Sequence, residues 1–162
     1  MADEQDPLQR THELLSEQRY AVLSTRRDDG APYSSLVAIT AGDDLTSLCF
    51  ATLRTTRKYA NLLAEPRVSL LVDDRANELT DLQDAAAITV IGEVVELQGE
   101  ERERWATRML REHSALEEFL ASPGCALFRV NIRVLYLVTR FQNVVELHVR
   151  EGRFSPPDPT DR

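Results

Sequence analysis

The sequence predicts an α+β fold built on an antiparallel β-barrel with flanking helices, and three observations predict it. Strand-like runs joined by tight turns fill residues 19–53 and read as a meander. Helical stretches stand singly between groups of strands, in the order helix, three strands, helix, two strands, helix, two strands, which is not the alternation of a βαβ sheet. The run AITVIGEVVEL (87–97) is apolar on both faces, with Ile88, Val90 and Val94 on one and Ile91, Val95 and Leu97 on the other. A strand covered on both sides belongs in a barrel wall with something packed outside it, and a partner subunit is one candidate.

Each element follows from its residues. DPLQRTHELLSEQ is a short amphipathic helix with Leu8, Leu14 and Leu15 facing inward. RYAVLSTRR is a strand, and the Asp-Asp-Gly at 28–30 signals a hairpin into APYSSLVAIT. The turn AGDD leads to a third strand, LTSLCFATL. Thr55 or Thr56 caps the next helix, whose Tyr59, Leu62 and Leu63 share one face, and Pro66 stops it. RVSLLVDD is a strand, DRANELTDLQDA a polar loop, and the two-faced strand follows. GEERERWATRMLREHSALEEFLASPG is one long helix with Trp105, Met109, His113, Leu116 and Leu120 inward, ended by Pro123-Gly124. In CALFRVNIRVLYLVT, Phe128, Val130, Ile132, Val134, Tyr136 and Val138 share one face. RFQNVVELHV is the last strand, and residues 155–162 form a frayed, flexible tail behind a single domain at 1–154.

Composition narrows the function. At 162 residues, 43% of them hydrophobic and 28% charged, the chain is long enough to bury one core without staples. A net charge of −8 excludes a broad nucleic-acid surface but leaves room for one small anion pocket. No apolar run is long enough to cross a bilayer, and MADEQDPLQR has no apolar secretory core, so a cytoplasmic protein is expected. Cys49 and Cys125 sit in apolar segments as small hydrophobes, and His12, His113 and His148 are scattered, so no metal site is expected.

One stretch runs against the chain's acidity. Arg54, Arg57 and Lys58 crowd the first turn of the helix after the third strand, where the positive end of the helix dipole disfavours cations by roughly 0.3–1 kcal/mol each. A bound dianion reverses that sign. The free N–H groups of residues 55–58, the hydroxyls of Thr55 and Thr56, the fork of Arg57 and the charge of Lys58 together describe a phosphate cradle without a Gly-rich loop. The alternative is three solvated basic residues that happen to open a helix.

The residues GAPYSSLVAI (30–39) followed by FATLRTTRKYANLLAEPRVSLLVDD (50–74) resemble the FMN-binding split-barrel family that includes pyridoxamine 5′-phosphate oxidase. The shared pattern is a strand with G-x-P-Y, an F-x-T strand end, a Ser/Thr-Arg-Lys helix start and P-R-V-S-L-L, and the element order agrees from about Arg19 to His148. The resemblance implies a six-stranded antiparallel split β-barrel that binds FMN as a homodimer, with flavins at the interface. It implies a phosphate held by Thr56, Arg57 and Lys58 with Thr52 nearby, and Ser34 and Ser35 beside the ring edge or ribityl chain. Relatives place residues like those of RFQNVVE over the ring, so Phe141 is a stacking candidate and Gln142 or Asn143 a hydrogen-bonding one; an ordinary turn is the alternative. Asn77 and Gln83, in the polar loop, are candidates to reach a neighbouring flavin.

The departures matter too. The vitamin B6 oxidase carries Arg where Ser35 stands, a substrate Lys near Thr40, a Gln at Ala87 and a C-terminal Arg-x-His, whereas VVELHVR has His148 before Arg150. A true pyridoxamine 5′-phosphate oxidase is therefore not expected. Arg129, Asn131 and Arg133 read as a solvated ladder or as a surface for an anionic partner or a second subunit. His113 reads as a satisfied buried histidine or, in a haem-binding relative, an axial ligand. No side chain reads as an obligatory acid, base or nucleophile. The expected function is an FMN-dependent oxidoreductase acting on a small substrate, with a non-catalytic flavin binder, or a haem or F420 binder of the same fold, as the alternatives.

Overall fold

Pro7–Glu17 (α1), Tyr20–Arg26 (β1) and Pro32–Ala38 (β2) open the computed structural model, which describes residues 6–161. Then come Thr40–Ala41 (β3), Ser47–Leu53 (β4), Arg57–Ala64 (α2), Arg67–Asp73 (β5) and Asp81–Asp84 (α3). Ala87–Glu96 (β6), Gly99–Glu112 (α4), Glu117–Ala121 (α5), Cys125–Thr139 (β7), Asn143–Arg150 (β8) and Arg153–Ser155 (β9) complete the order. Residues 1–5 of the expected domain and Arg162 of the expected tail lie outside the described residues.

One antiparallel sheet curls into a half-barrel flanked by helices, in the order β2-β1-β5-β6-β7-β4-β3. The six long strands of this path are expected strands, as is β8, which pairs with β7 off the path; the short β3 and β9 bring the sheet to nine. The two ends of the path are one stretch of chain. β2 pairs with β1, the strand is interrupted at Ile39, and β3 pairs with β4 through Thr40 and Cys49. The split lies there, between β2 and β4. A second opening follows from β7, which pairs along one edge with β4 over residues 125–131 and then with β8 over 134–139.

The barrel interior holds the main core. Phe50 and Phe128, both essentially buried, stack at 5.6 Å between centroids, among Leu23, Leu48, Leu70, Ile88 and Val90. A second core lies outside the wall, where Met109, Ala106 and Leu120 cover Cys49, Cys125 and Leu127. Burial pushes the Cys49 thiol well above its ordinary pKa and raises that of Cys125, as expected of cysteines packed as small hydrophobes. α1 is capped by the Asp6 carboxylate, which accepts from Leu8 N–H at 3.2 Å, and it buries Leu14 and Leu15.

Four expectations are corrected. β7 does not keep one inward face: Phe128, Val130 and Ile132 are buried, and then Leu135 and Leu137 take over. The register against β6 shifts between Ile91 and Gly92, which makes Arg133 a bulge residue and moves Val134, Tyr136 and Val138 to the outer face. Gly92 is required there, because a Cβ would stand 2.5 Å from the Asn131 carbonyl oxygen. The long helix is broken at His113, whose Nε2 lies 2.8 Å from the Ile39 carbonyl, so a 3-10 turn at Ser114–Leu116 and α5 replace its last third. Leu63 faces outward, 62% exposed, while Leu62 is buried. The polar loop at 75–86 contains the single turn α3.

Candidate functional site

β4 ends at Leu53, and the chain turns through residues 54–56 into α2. Thr56 is the N-cap: its Oγ1 accepts from Tyr59 N–H at 3.3 Å and donates to the Leu53 carbonyl at 2.8 Å. Thr52 Oγ1 lies 2.9 Å from the same oxygen. A hydroxyl has one donor and two acceptor sites, so Thr56 is saturated and Thr52 is the donor between them. This corrects the cradle in one respect: Thr56 builds the helix start and has no hydroxyl capacity left for a ligand. Its N–H is also taken, by the Leu53 carbonyl at 3.1 Å. The N–H groups of Arg57 and Lys58 have no acceptor among the described residues.

The three cations separate. Arg54 pairs with Glu96 and donates to the carbonyls of Cys125 (3.0 Å) and Pro123 (3.4 Å), so it holds the fold together. Arg57 is exposed and Lys58 half-buried, and neither has an ion pair or hydrogen bond from its side chain among the described residues. Burial alone holds the Lys58 ammonium below its ordinary pKa.

Lys58 lines a groove of about 300 Å³ in the split between β2 and β4. Its walls are Leu36 and Val37 on one side, Thr52 and Leu53 on the other, and Leu116 with Phe119 from the segment after the helix break. Thr55 and Arg57 instead line a second depression on the opposite side of the helix start, and Thr56 borders both. Leu36, Leu116 and Phe119 were not among the expected site residues; an apolar residue at an outward strand position was the signal for Leu36.

Ser34 and Ser35 stand on β2, one facing each way. Ser34 is outside, 3.1 Å from Ser24 Oγ. Ser35, opposite the buried Leu23, has a buried Oγ with no partner in the protein. An unmet hydroxyl of this kind costs about 1–3 kcal/mol until something bonds to it.

Four expected contacts stand elsewhere. Thr139, which pairs with Asn143, is thirteen residues along β7 from Ala126, the partner of Thr52, or roughly 40 Å of extended strand. At that end Phe141 is 61% exposed in the β7–β8 turn, in the left-handed region with Arg140, and Gln142 follows it, exposed. Gln83 lines a polar groove with Arg10, Arg140 and Asn143, and Asn77 lies in the exposed loop. Arg129 and Arg133 pair with Glu101 and Glu93, so the polar row of β7 is neutralised within the chain. His113 is committed to a backbone carbonyl. No helix among the described residues is long and apolar enough to cross a membrane.

The fold has solved counterparts. The heme-binding protein from Mycobacterium smegmatis superposes with a TM-score of 0.77 at 15% identity, over 85% of this chain and 56% of that one. The heme storage protein HutZ from Vibrio cholerae gives 0.64 at 17%, over 82% and 93%. An FAD-binding protein from Mesorhizobium loti gives 0.58 at 22%, over 80% and 91%. This chain thus spans little more than half of the Mycobacterium protein, and at these identities the likeness is one of fold. No curated protein matches the sequence. The barrel from α1 to the end of β7, residues 8–139, matches the family described as pyridoxamine 5′-phosphate oxidase, and to that family this chain belongs.

Proposed function

We propose that this chain is an FMN-binding flavoprotein whose groove between β2 and β4 receives the flavin, with the phosphate at the start of α2. One observation carries the reading: Lys58 is a half-buried cation with no anionic partner among the described residues, beside two unused backbone N–H groups. A partly buried charge without a counter-charge is unfavourable, and a phosphate dianion there meets the ammonium, the N–H groups and the helix dipole together. The fit is to phosphate through Lys58 and the backbone of residues 57–58, with the walls of the groove offering apolar surface.

When bound, the flavin supplies two-electron redox chemistry. The chain's own residues bind it, orient it and, through Leu36, Leu116 and Phe119, exclude water. No acid, base or nucleophile beyond Lys58 lines the groove. The reading is therefore an oxidoreductase that passes an electron pair between flavin and a small organic substrate, with a nicotinamide or oxygen at the other end. Pyridoxamine 5′-phosphate is not proposed as substrate: Thr40 donates its hydroxyl to Glu112 at 3.1 Å, and Ser35 offers no cation. A cytoplasmic setting suits the two free thiols, and cell fractionation checks it.

Titrating FMN into the protein and into Lys58→Ala tests the phosphate site. The variant should bind at least about tenfold more weakly, since a charge-assisted bond contributes about 1.5–3 kcal/mol. Equal affinity refutes the assignment. The protein is further proposed to be a homodimer. Leu36 is 69% exposed, and Ile91 (38%) and Val95 (47%) stand open on the outer face of β6, an apolar surface a lone subunit leaves to water. Ile91→Asp with Val95→Asp should yield monomers in sedimentation; an unaltered mass would sink the interface.

Haem is the second reading, favoured by two neighbours with heme in their names. The groove lining contains no His, Cys, Met or Tyr, so an axial ligand would have to come from outside it. A Soret band in the protein as purified would favour haem, and a yellow flavin spectrum FMN.

A further inference from the structure

Lysine is nearly absent from this chain. Of its 19 lysines and arginines all but one are arginine, and the exception is Lys58. An arginine stays charged, whereas a lysine moved out of water gives up its proton readily and becomes a nucleophilic amine. Lys58 has the surroundings for that change. It is half-buried on the wall of the groove of about 300 Å³ between β2 and β4. Leu36, Val37, Leu53, Leu116 and Phe119 supply much of the remaining lining, and no carboxylate is part of it. No ion pair or hydrogen bond holds the side chain among the described residues, and burial lowers its pKa. Leu36 is 69% exposed, so the β2 wall faces solvent and a small molecule can reach the amine.

The same lining selects the chemistry. Condensation with an aldehyde must expel water from a carbinolamine, which takes a proton donor beside the amine. The two hydroxyls of the lining have no proton to spare: Thr52 donates to Thr56, and Thr56 to the Leu53 carbonyl. Acyl transfer needs no such donor, because the leaving group carries the proton away. We propose that Lys58 is a modification site, acylated on Nζ by a small acyl group delivered from an acyl phosphate or a thioester. The nitrogen bonds to the acyl carbon, and the bond from that carbon to the phosphate oxygen or thiol sulfur breaks. The amine proton leaves with the phosphate or thiol. The product suits the groove better than the ammonium does, since a neutral amide ends the burial of an unpaired charge and its alkyl end meets apolar walls. Acylation also removes the cation that a flavin phosphate would meet and so closes the site, a step that rests on the flavin reading above.

Acetyl phosphate and the acetyl thioester of coenzyme A, each added to the full chain near neutral pH, supply the test. Peptide mass mapping reads the gain of one acetyl group at Lys58, and an N-blocked peptide of residues 55–61 is the reference amine. Lys58 should be acetylated at least about tenfold faster than the lysine of that peptide, because more of it is unprotonated, and its rate should level off at a lower pH. FMN should bind the acetylated protein at least about tenfold more weakly, and added FMN should slow the acetylation. Modification by either donor upholds the site and names the source of the acyl group. A rate no higher than the peptide's with both donors overturns the proposal. Equal FMN affinity before and after acetylation overturns the closing step. Fast acetylation of a protein that binds no FMN in either form leaves the modification site standing and removes the flavin reading.

Discussion

Arg54 and Lys58 stand four residues apart at one helix start, and their surroundings are opposite. Arg54 turns toward the end of β6, where Glu96 pairs with it, and toward the carbonyls of Pro123 and Cys125 at the start of β7. It also lies 5.8 Å over the ring of Tyr59, whose hydroxyl binds the other oxygen of Glu96. Lys58 instead lines the groove whose walls include Leu36, Val37 and Ala38 of β2, none of which carries a charge. The lesson is that a cation's role is set by which neighbouring strand offers a carboxylate. Where one does, the charge fastens the helix to the sheet; where none does, the charge stays without a counter-charge among the described residues, which is what the proposed phosphate would supply.

The sharpest way to break this contrast is to exchange the two losses. Lys58→Ala should cost FMN affinity tenfold or more, as above, and leave the fold intact. Arg54→Ala should leave FMN affinity within about twofold but lower the melting temperature by a few degrees, because Glu96 loses its partner and two carbonyls lose their donor. A variant at Arg54 that loses flavin binding with unchanged melting would show that the two cations act together.

Acidity sharpens the same comparison through Lys58 alone. Its pKa in the empty protein is held below the ordinary lysine value by burial, so over the window between the two values the unfolded chain carries the proton and the folded chain does not. Stability of the empty protein should therefore rise with pH across that window. Phosphate binding needs the ammonium, so FMN affinity should fall as pH rises through the lowered pKa, by up to about tenfold per pH unit for a single proton. Calorimetric titrations at stepped pH read both slopes, and Lys58→Met should abolish the second. Affinity that does not change with pH in the wild type would mean that the flavin's phosphate does not touch this ammonium.

Much of the barrel was legible because strand alternation and turn chemistry are local. Residues 20–26 and 67–73 alternate in burial as their sequences alternate. A threonine cap at 55 or 56 was readable for the same reason, and the structure uses Thr56. What escaped was set by distant groups. The face switch in β7 arises where Gly92 lets the Asn131 carbonyl approach, and the break at His113 arises because the ring reaches Ile39 across the fold. The basic stretch was legible as unusual, yet its division into Arg54, Arg57 and Lys58 depends on three different neighbours. Asn77, Gln83, Phe141 and Gln142 came from a likeness of element order, which carries no distances: Phe141 and Gln142 stand in the β7–β8 turn and Asn77 and Gln83 in the β5–β6 connection, apart from the groove residues of their own chain.

The smallest effect tests the structural side of the contrast most cleanly. Tyr59 is on α2, one residue from Lys58, but its hydroxyl serves the Arg54 side, donating to Glu96 at 3.1 Å. Its ring packs on Phe128, 5.8 Å between centroids, and that contact survives in phenylalanine. Tyr59→Phe should therefore remove a single hydrogen bond, about 0.5–1.5 kcal/mol of stability measured by urea unfolding. FMN affinity should not move. If Tyr59→Phe weakened the flavin as well, Glu96 would be coupled to the groove through the helix start, and the division between a fastening cation and a receiving one would give way to a single network spanning residues 54–59. Combining Tyr59→Phe with Arg54→Ala separates the cases: losses that do not add place both groups on Glu96, while additive losses mean that each holds the helix independently.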